Sequence, residues 1–186
     1  MSDTTLLLRA AGFAARHHRR QKRKGSEGEP YVNHPIAVAE LIASVGRVSD
    51  ALTLAAALLH DTVEDTDATL DDIGREFGPE IRGIVAELTD DKSLPSEERK
   101  RLQIVNAPNA SRRAKIVKLA DKSTNVADIA RDPPPNWPLQ RRREYVEWAI
   151  LVVAGCRGAN TALEKHFDGV AAMALATIRG RGGSSD

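Results

Sequence analysis

The chain has 186 residues and a mass of 20.2 kDa, the size of a single domain. Its 41% hydrophobic and 28% charged residues are typical of a folded protein and argue against disorder over the whole length. The 27 Lys and Arg residues nearly balance the 26 Asp and Glu residues, so composition does not indicate a nucleic-acid partner. A single cysteine, Cys156, excludes an internal disulfide and a cysteine-rich zinc module, and it suits a reducing, cytoplasmic environment.

The amino-terminal stretch predicts a first helix. Its apolar residues recur at the spacing of one helix face, and the pattern ends in the basic run of residues 16–24. The apolar stretch breaks at Arg9 and shows no cleavage pattern, so we expect no secretory signal. An Arg-rich amphipathic mitochondrial presequence is the alternative, but the pattern reads well as a core helix.

The next segments carry start and stop signals for helices. Pro35 suits the first turn of a second helix. A third helix begins near Asp50 and is apolar nearly all round, which is typical of a central buried helix. Thr69 and Asp72 have the spacing of a capping box for a short helix that ends at Gly78.

The remaining segments are also predicted to be helical, with a rigid proline-rich loop at 133–138. The predicted ranges are 79–88, 95–108, 111–131, 139–154 and 159–177. We find neither an alternating strand pattern nor an apolar run as long as the ~20 residues of a membrane span. The expected fold class is all-α, a compact bundle of eight to ten helices, with one domain over 1–178 and a disordered tail at 179–186.

Polar residues follow the most apolar helix directly. His60 and Asp61 stand at its end, and a buried imidazole beside a carboxylate is unusual unless something binds both. Divalent metals use such mixed nitrogen and oxygen ligands. In an isolated His-Asp pair, the histidine more often donates a hydrogen bond to a backbone carbonyl and the aspartate caps a turn. Glu64 and Asp65, on the same helical face as Asp61, shift the balance toward a site, because three close carboxylates favour a nearby cation.

Two further motifs lie far away in the sequence. YVNHP places His34 beside a helix start, and KLADKSTN places Asp121 and Asn125 one turn apart on a long helix. Each motif alone is weak, since many turns contain a histidine and many helices an aspartate.

Together, these stretches resemble the HD-domain hydrolases of the RelA/SpoT group, and specifically the stand-alone small alarmone hydrolases. The resemblance spans roughly residues 5–170 and rests on RKGSEGEPYVNHPIAVA, AALLHDTVEDTDATLDDI, VAELTDDKSLPSEERKRLQ and KIVKLADKSTN, in that order. It implies the HD-domain fold and a hydrolase that lacks the synthetase activity of the long relatives.

The resemblance also implies a metal site and a catalytic pair. One divalent ion, usually Mn²⁺ in this family, would be bound by His34, His60, Asp61 and Asp121. Iron, cobalt and zinc also suit two imidazoles and two carboxylates, so the metal's identity stays open. Glu64 and Asp65 would orient and deprotonate the attacking water.

The implied substrate is guanosine tetra- or pentaphosphate, from which the 3′-pyrophosphate is removed to give GDP or GTP. Arg23 would lie against the base and Lys24 would hold phosphate, roles that suit a guanidinium and an ammonium. Tyr31 and Asn125 match pocket positions, and Arg141 is a weaker phosphate candidate. The alternative for the basic run is a solvated face or a nucleic-acid patch, and no aromatic residue interleaves with the run to support RNA stacking.

The sequence departs from the family pattern at Ser123, Thr124 and Ala127, and we expect these residues to alter the substrate contacts. Two alternative functions stay open. One is an HD-type phosphatase on another nucleotide, such as NADPH, and the other is a non-catalytic nucleotide sensor. A pure sensor has no need of a water-activating base, which argues against the second. Oligomeric state is not predicted.

Overall fold

The computed structural model describes residues 2–26 and 28–182, and its regular structure is helical. Over these ranges no strand forms, and Lys22 and Pro30 make one isolated antiparallel bridge. The all-α prediction is confirmed. The helices are α1 (Asp3–His17), α2 (Asn33–Ser44), α3 (Ala51–Leu59), α4 (Thr62–Asp65), α5 (Leu70–Phe77), α6 (Pro79–Leu88), α7 (Ser96–Asn106), α8 (Arg112–Arg131), α9 (Leu139–Ala154) and α10 (Thr161–Gly182).

The helix ends follow local chemistry. The Thr69 hydroxyl accepts from the backbone N–H of Asp72, whose carboxylate accepts from the backbone N–H of Thr69, so the predicted capping box is confirmed. Gly78 has φ 89°, a conformation that a glycine adopts without strain, and it separates α5 from α6. Pro79 then occupies the first turn of α6, where its missing N–H costs nothing.

The core has two parts that meet along α3 and α8. One part packs α2, α8, α9 and α10 together, and the other packs α1, α3, α5 and α6. Helix α3 is central, as predicted from its apolar composition: seven of its nine residues are buried, five of them alanine or threonine residues of small volume. The five small side chains, four alanines and one threonine, allow α1, α2, α6 and α8 to pack against one short helix. The carboxyl end of α3 is therefore surrounded by other elements.

Three boundaries differ from the sequence prediction. Helix α1 ends at His17, so most of the basic run lies in the following loop. Residues 62–65 form a separate short helix after His60 and Asp61. Helix α10 continues to Gly182, past the predicted boundary at residue 178, while the rest of the predicted tail, 183–186, lies outside the described residues. None of the described helices has both the length and the apolar character that a membrane crossing requires.

Candidate active site

His60 stands where α3 gives way to α4, and the burial of α3 carries its side chain into the protein. Its Nδ1 lies 2.7 Å from the carbonyl oxygen of Ala57. A carbonyl only accepts, so Nδ1 carries the hydrogen and Nε2 keeps its lone pair. Nε2 is buried and has no hydrogen-bond partner among the described residues. A fixed tautomer with a free, buried Nε2 is the arrangement that a metal-binding histidine requires.

The four predicted metal ligands converge from three parts of the chain. His34 Nε2 lies 3.1 Å from Asp121 Oδ1 and 3.6 Å from Asp61 Oδ2. His60 Nε2 lies 3.2 Å from Asp61 Oδ2 and 3.7 Å from Asp121 Oδ1. Ligand atoms placed about 2.0–2.2 Å from one ion lie roughly 3–4 Å from each other. The ligand atoms of His34, His60 and Asp121 all lie within 4.8 Å of one another, so their spacing fits a single ion, and Asp61 Oδ2 lies beside both imidazoles.

The electrostatics of this cluster call for positive charge. Burial raises the pKa of Asp61 and Asp121, yet His60 beside Asp61 and Lys122 beside Asp121 hold both pKa values below their usual range. Burial likewise lowers the pKa of His60, but the two carboxylates outweigh it and raise that pKa well above its usual value. Without a metal, the His60 imidazole takes up a proton to balance the carboxylates. A divalent cation would supply the same balance and leave His60 neutral.

Neighbouring side chains orient the two carboxylates. Lys122 Nζ donates to Asp121 Oδ2 at 2.8 Å, and Asn125 Nδ2 donates to Asp121 Oδ1 at 2.6 Å. The Tyr31 hydroxyl donates to Asp61 Oδ2 at 2.6 Å. Groups that hold a ligand from behind in this way fix its direction and tune its basicity. Tyr31 and Asn125 were predicted as substrate contacts, and the structure gives each of them this second task.

Glu64 and Asp65 both reach the same chamber but have different surroundings. Glu64 Oε2 accepts from the backbone N–H of Asp90 at 3.1 Å, and burial raises the pKa of Glu64. Arg99 Nη1 lies 3.7 Å from its other oxygen. Asp65 is ion-paired with Lys92, from the loop between α6 and α7. A buried carboxylate with a raised pKa suits a general base, whereas an ion-paired carboxylate suits an orienting role.

Two adjacent cavities lie beside the cluster, and only the inner one is lined by its residues. The inner chamber has a volume of about 160 Å³ and contains His60, Asp61, Glu64 and Asp121 in its wall. The outer cavity measures about 590 Å³ and lies between the loop after α1 and the carboxyl end of α8. Three residues line both cavities and form the rim between them: Tyr31, Asp65 and Asn125. A ligand in the outer cavity can thus extend a group past the rim into the inner chamber.

The predicted basic residues divide between the outer cavity and the surface. Arg23 and Lys24 line the outer cavity. The Arg23 guanidinium donates to Asn125 Oδ1 at 3.1 Å and lies 5.6 Å from the centre of the Tyr31 ring. Arg141 is exposed, and its guanidinium lies 4.4 Å from the centre of the Trp137 ring. Trp137 borders the outer cavity, but Arg141 does not.

Sequence reasoning missed several residues of the site. Trp137 and Tyr145 give the outer cavity aromatic walls, and Gln103 and Lys118 border the inner chamber. Lys118 stands in the quoted KLADKSTN motif, where its spacing from Asp121 places both on one helix face. Gln103 carried no such signal, because only the packing of α7 brings it to the chamber.

The three departures from the family pattern border neither the inner chamber nor the outer cavity, contrary to the expectation that they lie at the substrate. Ser123, Thr124 and Ala127 border a separate cavity of about 210 Å³ between α2, α8 and α10, which His166 also lines. Ser123 is fully buried and donates to the carbonyl oxygen of Leu119. Ser123 and Ala127 lie on the opposite side of α8 from Asp121 and Asn125, and Thr124 lies between the two sides. None of the three borders the inner chamber.

The fold and the His/Asp cluster define a class, and the chain belongs to the HD domain family, which matches residues 10–151. Among its relatives are two proteins named guanosine-3′,5′-bis(diphosphate) 3′-pyrophosphohydrolase MESH1. The Xenopus tropicalis protein is 52% identical over 90% of this chain and 93% of its own length. The human protein is 53% identical over 88% of this chain and 92% of its own. A solved structure described as a metazoan ortholog of SpoT that hydrolyses ppGpp superimposes with a TM-score of 0.87, at 45% identity, covering 95% of this chain and 96% of that one.

Proposed function

We propose that this protein is a guanosine-3′,5′-bis(diphosphate) 3′-pyrophosphohydrolase. It removes the 3′-diphosphate group of guanosine tetra- or pentaphosphate and releases GDP or GTP and pyrophosphate. The observation that carries the proposal is the buried cluster of His34, His60, Asp61 and Asp121, next to Glu64 in a chamber that opens into a basic, aromatic cavity. The activity named for the relatives agrees with this chemistry.

The outer cavity is suited to the nucleoside and its 5′-phosphates. Arg23 and the rings of Trp137 and Tyr145 offer flat surfaces for a purine, and Lys24 adds a cation for phosphate. The rim residues Tyr31 and Asn125 then lie where the ribose enters the inner chamber. This placement orients the 3′-substituent toward the metal cluster.

The cofactor we propose is one manganese ion per chain, bound by the four clustered ligands. When bound, such an ion stabilises charge on phosphate oxygens and makes water a stronger acid. Mixed imidazole and carboxylate ligands suit Mn²⁺ and leave positions open for oxygen ligands. The free, buried Nε2 of His60 supports the presence of a cation.

Glu64 is proposed as the general base and Asp65 as the residue that orients the water. Glu64 lies in the inner chamber and has a raised pKa because of burial, so it accepts a proton more readily than an exposed carboxylate. The water oxygen bonds to the phosphorus attached to the 3′-oxygen, and Glu64 takes up the proton. The bond from phosphorus to the 3′-oxygen breaks, the 3′-oxygen keeps the electron pair, and the proton held by Glu64 passes to it through solvent, so that the ribose is left with a hydroxyl.

We further propose a small-molecule nucleotide, rather than nucleic acid, as the physiological partner, and a cytoplasmic location. The near balance of basic and acidic residues supports the first point. The single, buried cysteine supports the second.

One product assay tests the function. Purified protein with Mn²⁺ is incubated with guanosine tetraphosphate or with NADPH, and the released group is identified. Pyrophosphate from guanosine tetraphosphate, abolished by excess EDTA and restored by manganese, is expected. Orthophosphate from NADPH alone would instead identify a nucleotide 2′-phosphatase, and binding without turnover would identify a sensor.

A further inference from the structure

The inner chamber extends beyond the metal cluster to a distal end. Leu88 from α6, Gln103 from α7 and Lys118 from α8 border the chamber but not the outer cavity. Helix α8 passes along both spaces, with Asn125 at the rim, Asp121 at the cluster and Lys118 one turn before it. At 1.5 Å of rise per residue, Lys118 stands about 4.5 Å further along the helix axis, away from the outer cavity.

Lys118 is buried without an acceptor. It is 7% exposed and makes no hydrogen bond or ion pair within the described part of the chain, and burial lowers the pKa of its ammonium group. Lys122, one turn later and equally buried, is in contrast ion-paired with Asp121 at 2.8 Å. Asp90 and Asp121 act on Lys118 only at longer range. An unpaired buried ammonium group is costly, so this position calls for an anion in the chamber.

Gln103 supplies a second unused group at the same end. Its Nε2 donates to Asp90 Oδ2 at 2.6 Å, which fixes the orientation of the amide. Its Oε1 is buried and has no hydrogen-bond partner in the described part of the chain. An amide oxygen only accepts, so a ligand here must offer a hydrogen as well as negative charge. A terminal phosphate, whose second pKa is near about 6, offers both anionic oxygens and a P–OH group.

We propose that Lys118 and Gln103 bind the distal phosphate of the substrate's 3′-diphosphate group, so that Lys118 selects a diphosphate over a monophosphate leaving group. This inference rests on the proposed function. The phosphorus that is attacked lies at the metal cluster, and its second phosphate extends to the distal end. When the bond to the 3′-oxygen breaks, the two phosphates leave together as pyrophosphate, with the anhydride bond between them intact.

The first test compares two substrates that differ only in the distal phosphate. Lys118→Met keeps the length of the side chain and removes its charge. For guanosine tetraphosphate we expect kcat/KM to fall about ten- to a hundred-fold, the usual effect of losing a charge-assisted hydrogen bond. For guanosine 5′-diphosphate 3′-monophosphate the variant should differ little from the wild type. An equal loss for both substrates, or no loss for either, would overturn the proposal.

A matched control lies on the same helix. Lys115 is half-buried and donates to the carbonyl oxygen of Pro108, and it borders neither of the two cavities. Lys115→Met should therefore keep the wild-type ratio of the two substrates. The ratio compared is that of the kcat/KM values for the two substrates. If Lys115→Met changed this ratio as much as Lys118→Met does, the net charge of α8, rather than a subsite, would determine selectivity.

The second test measures binding and does not depend on turnover. Calorimetry with manganese-loaded protein should show tighter binding of pyrophosphate than of orthophosphate. Gln103→Glu keeps the side-chain size and places a carboxylate beside Lys118, so it should weaken pyrophosphate binding and leave orthophosphate binding nearly unchanged. Equal wild-type affinity for the two anions would refute the subsite. If the wild type hydrolyses neither guanosine substrate, the proposed function is wrong. If the wild type is active but Lys118→Met and Gln103→Glu keep its selectivity, only the proposed subsite is wrong.

Discussion

The inner chamber and the outer cavity are adjacent but differ in almost every physical property. The inner chamber is small and lined by carboxylates, two of which, Asp61 and Asp121, lie beside the buried imidazole of His60. The outer cavity is more than three times as large and combines basic residues with aromatic rings. The first is arranged for charge and proton transfer, and the second for recognition of a flat, anionic molecule. Chemistry and recognition are thus separated by a rim of three residues.

This separation has a kinetic consequence. A residue that acts only on the reacting phosphate should change kcat, whereas a residue that only holds the nucleotide should change KM. The substitutions below address first the inner chamber, then the outer cavity and finally the opposite side of α8.

The largest effect is expected at a metal ligand. Asp61→Asn removes a carboxylate that lies 3.2 Å from His60 Nε2, so metal and activity should be lost together. The loss should exceed the roughly 10–100-fold that follows removal of a residue behind a ligand. Elemental analysis gives the metal content and a product assay gives the rate. Tyr31→Phe, which removes the hydroxyl that supports Asp61, is the milder comparison. Full metal content with wild-type turnover in Asp61→Asn would remove Asp61 from the ligand set.

Glu64→Gln should reduce kcat and spare the metal. The amide still accepts from the backbone N–H of Asp90 but cannot take up a proton, so kcat should fall roughly 10²–10⁴-fold. Metal content should stay at the wild-type level. Wild-type turnover with metal bound would leave Asp65 as the candidate base.

The pH profile of the wild type provides a second measure of the same residue. Burial raises the pKa of Glu64, and the basic form is lost as the pH falls through that raised value. The acid limb of kcat should therefore lie above the ordinary glutamate pKa of about 4.3. An acid limb at or below that value would contradict a buried base.

Arg23→Gln should show the opposite kinetic pattern. The guanidinium donates to Asn125 and Asp128 and borders the outer cavity, at a distance from the reacting phosphate. We expect KM for guanosine tetraphosphate to rise about ten-fold or more, with a smaller change in kcat, from the loss of one charged contact. Steady-state kinetics with both parameters determined check this. A loss confined to kcat would place Arg23 in the chemical step instead.

The smallest effect is expected at Ala127. This residue is exposed and borders the separate cavity beside His166, so Ala127→Arg should leave KM and kcat unchanged. A lower KM in the same assay would show that a long side chain reaches the nucleotide around α8. The result also tests the division of α8 into a site face and an opposite face.

Local signals predicted most helix positions. The capping box at Thr69, the proline at 79 and the apolar character of α3 each depend on residues close in sequence, and each predicted element is present. The end of α1 was harder to predict because basic residues are compatible with both a helix and a loop. Ala127 was misjudged for a different reason: a family pattern gives the order of residues but not the face of the helix that turns toward the ligand.

By itself, the sequence determined the helical class, the candidate ligand set and the candidate catalytic pair, because motif residues and helix periodicity are properties of short segments. Only the tertiary structure decided that α2, α3 and α8 bring His34, His60, Asp61 and Asp121 together, and that Lys92 is paired with Asp65 while Glu64 is buried. It also decided that Gln103 and Lys118, from two different helices, both line the inner chamber. Such contacts depend on how separate helices pack around the small side chains of α3, and no single segment encodes that packing.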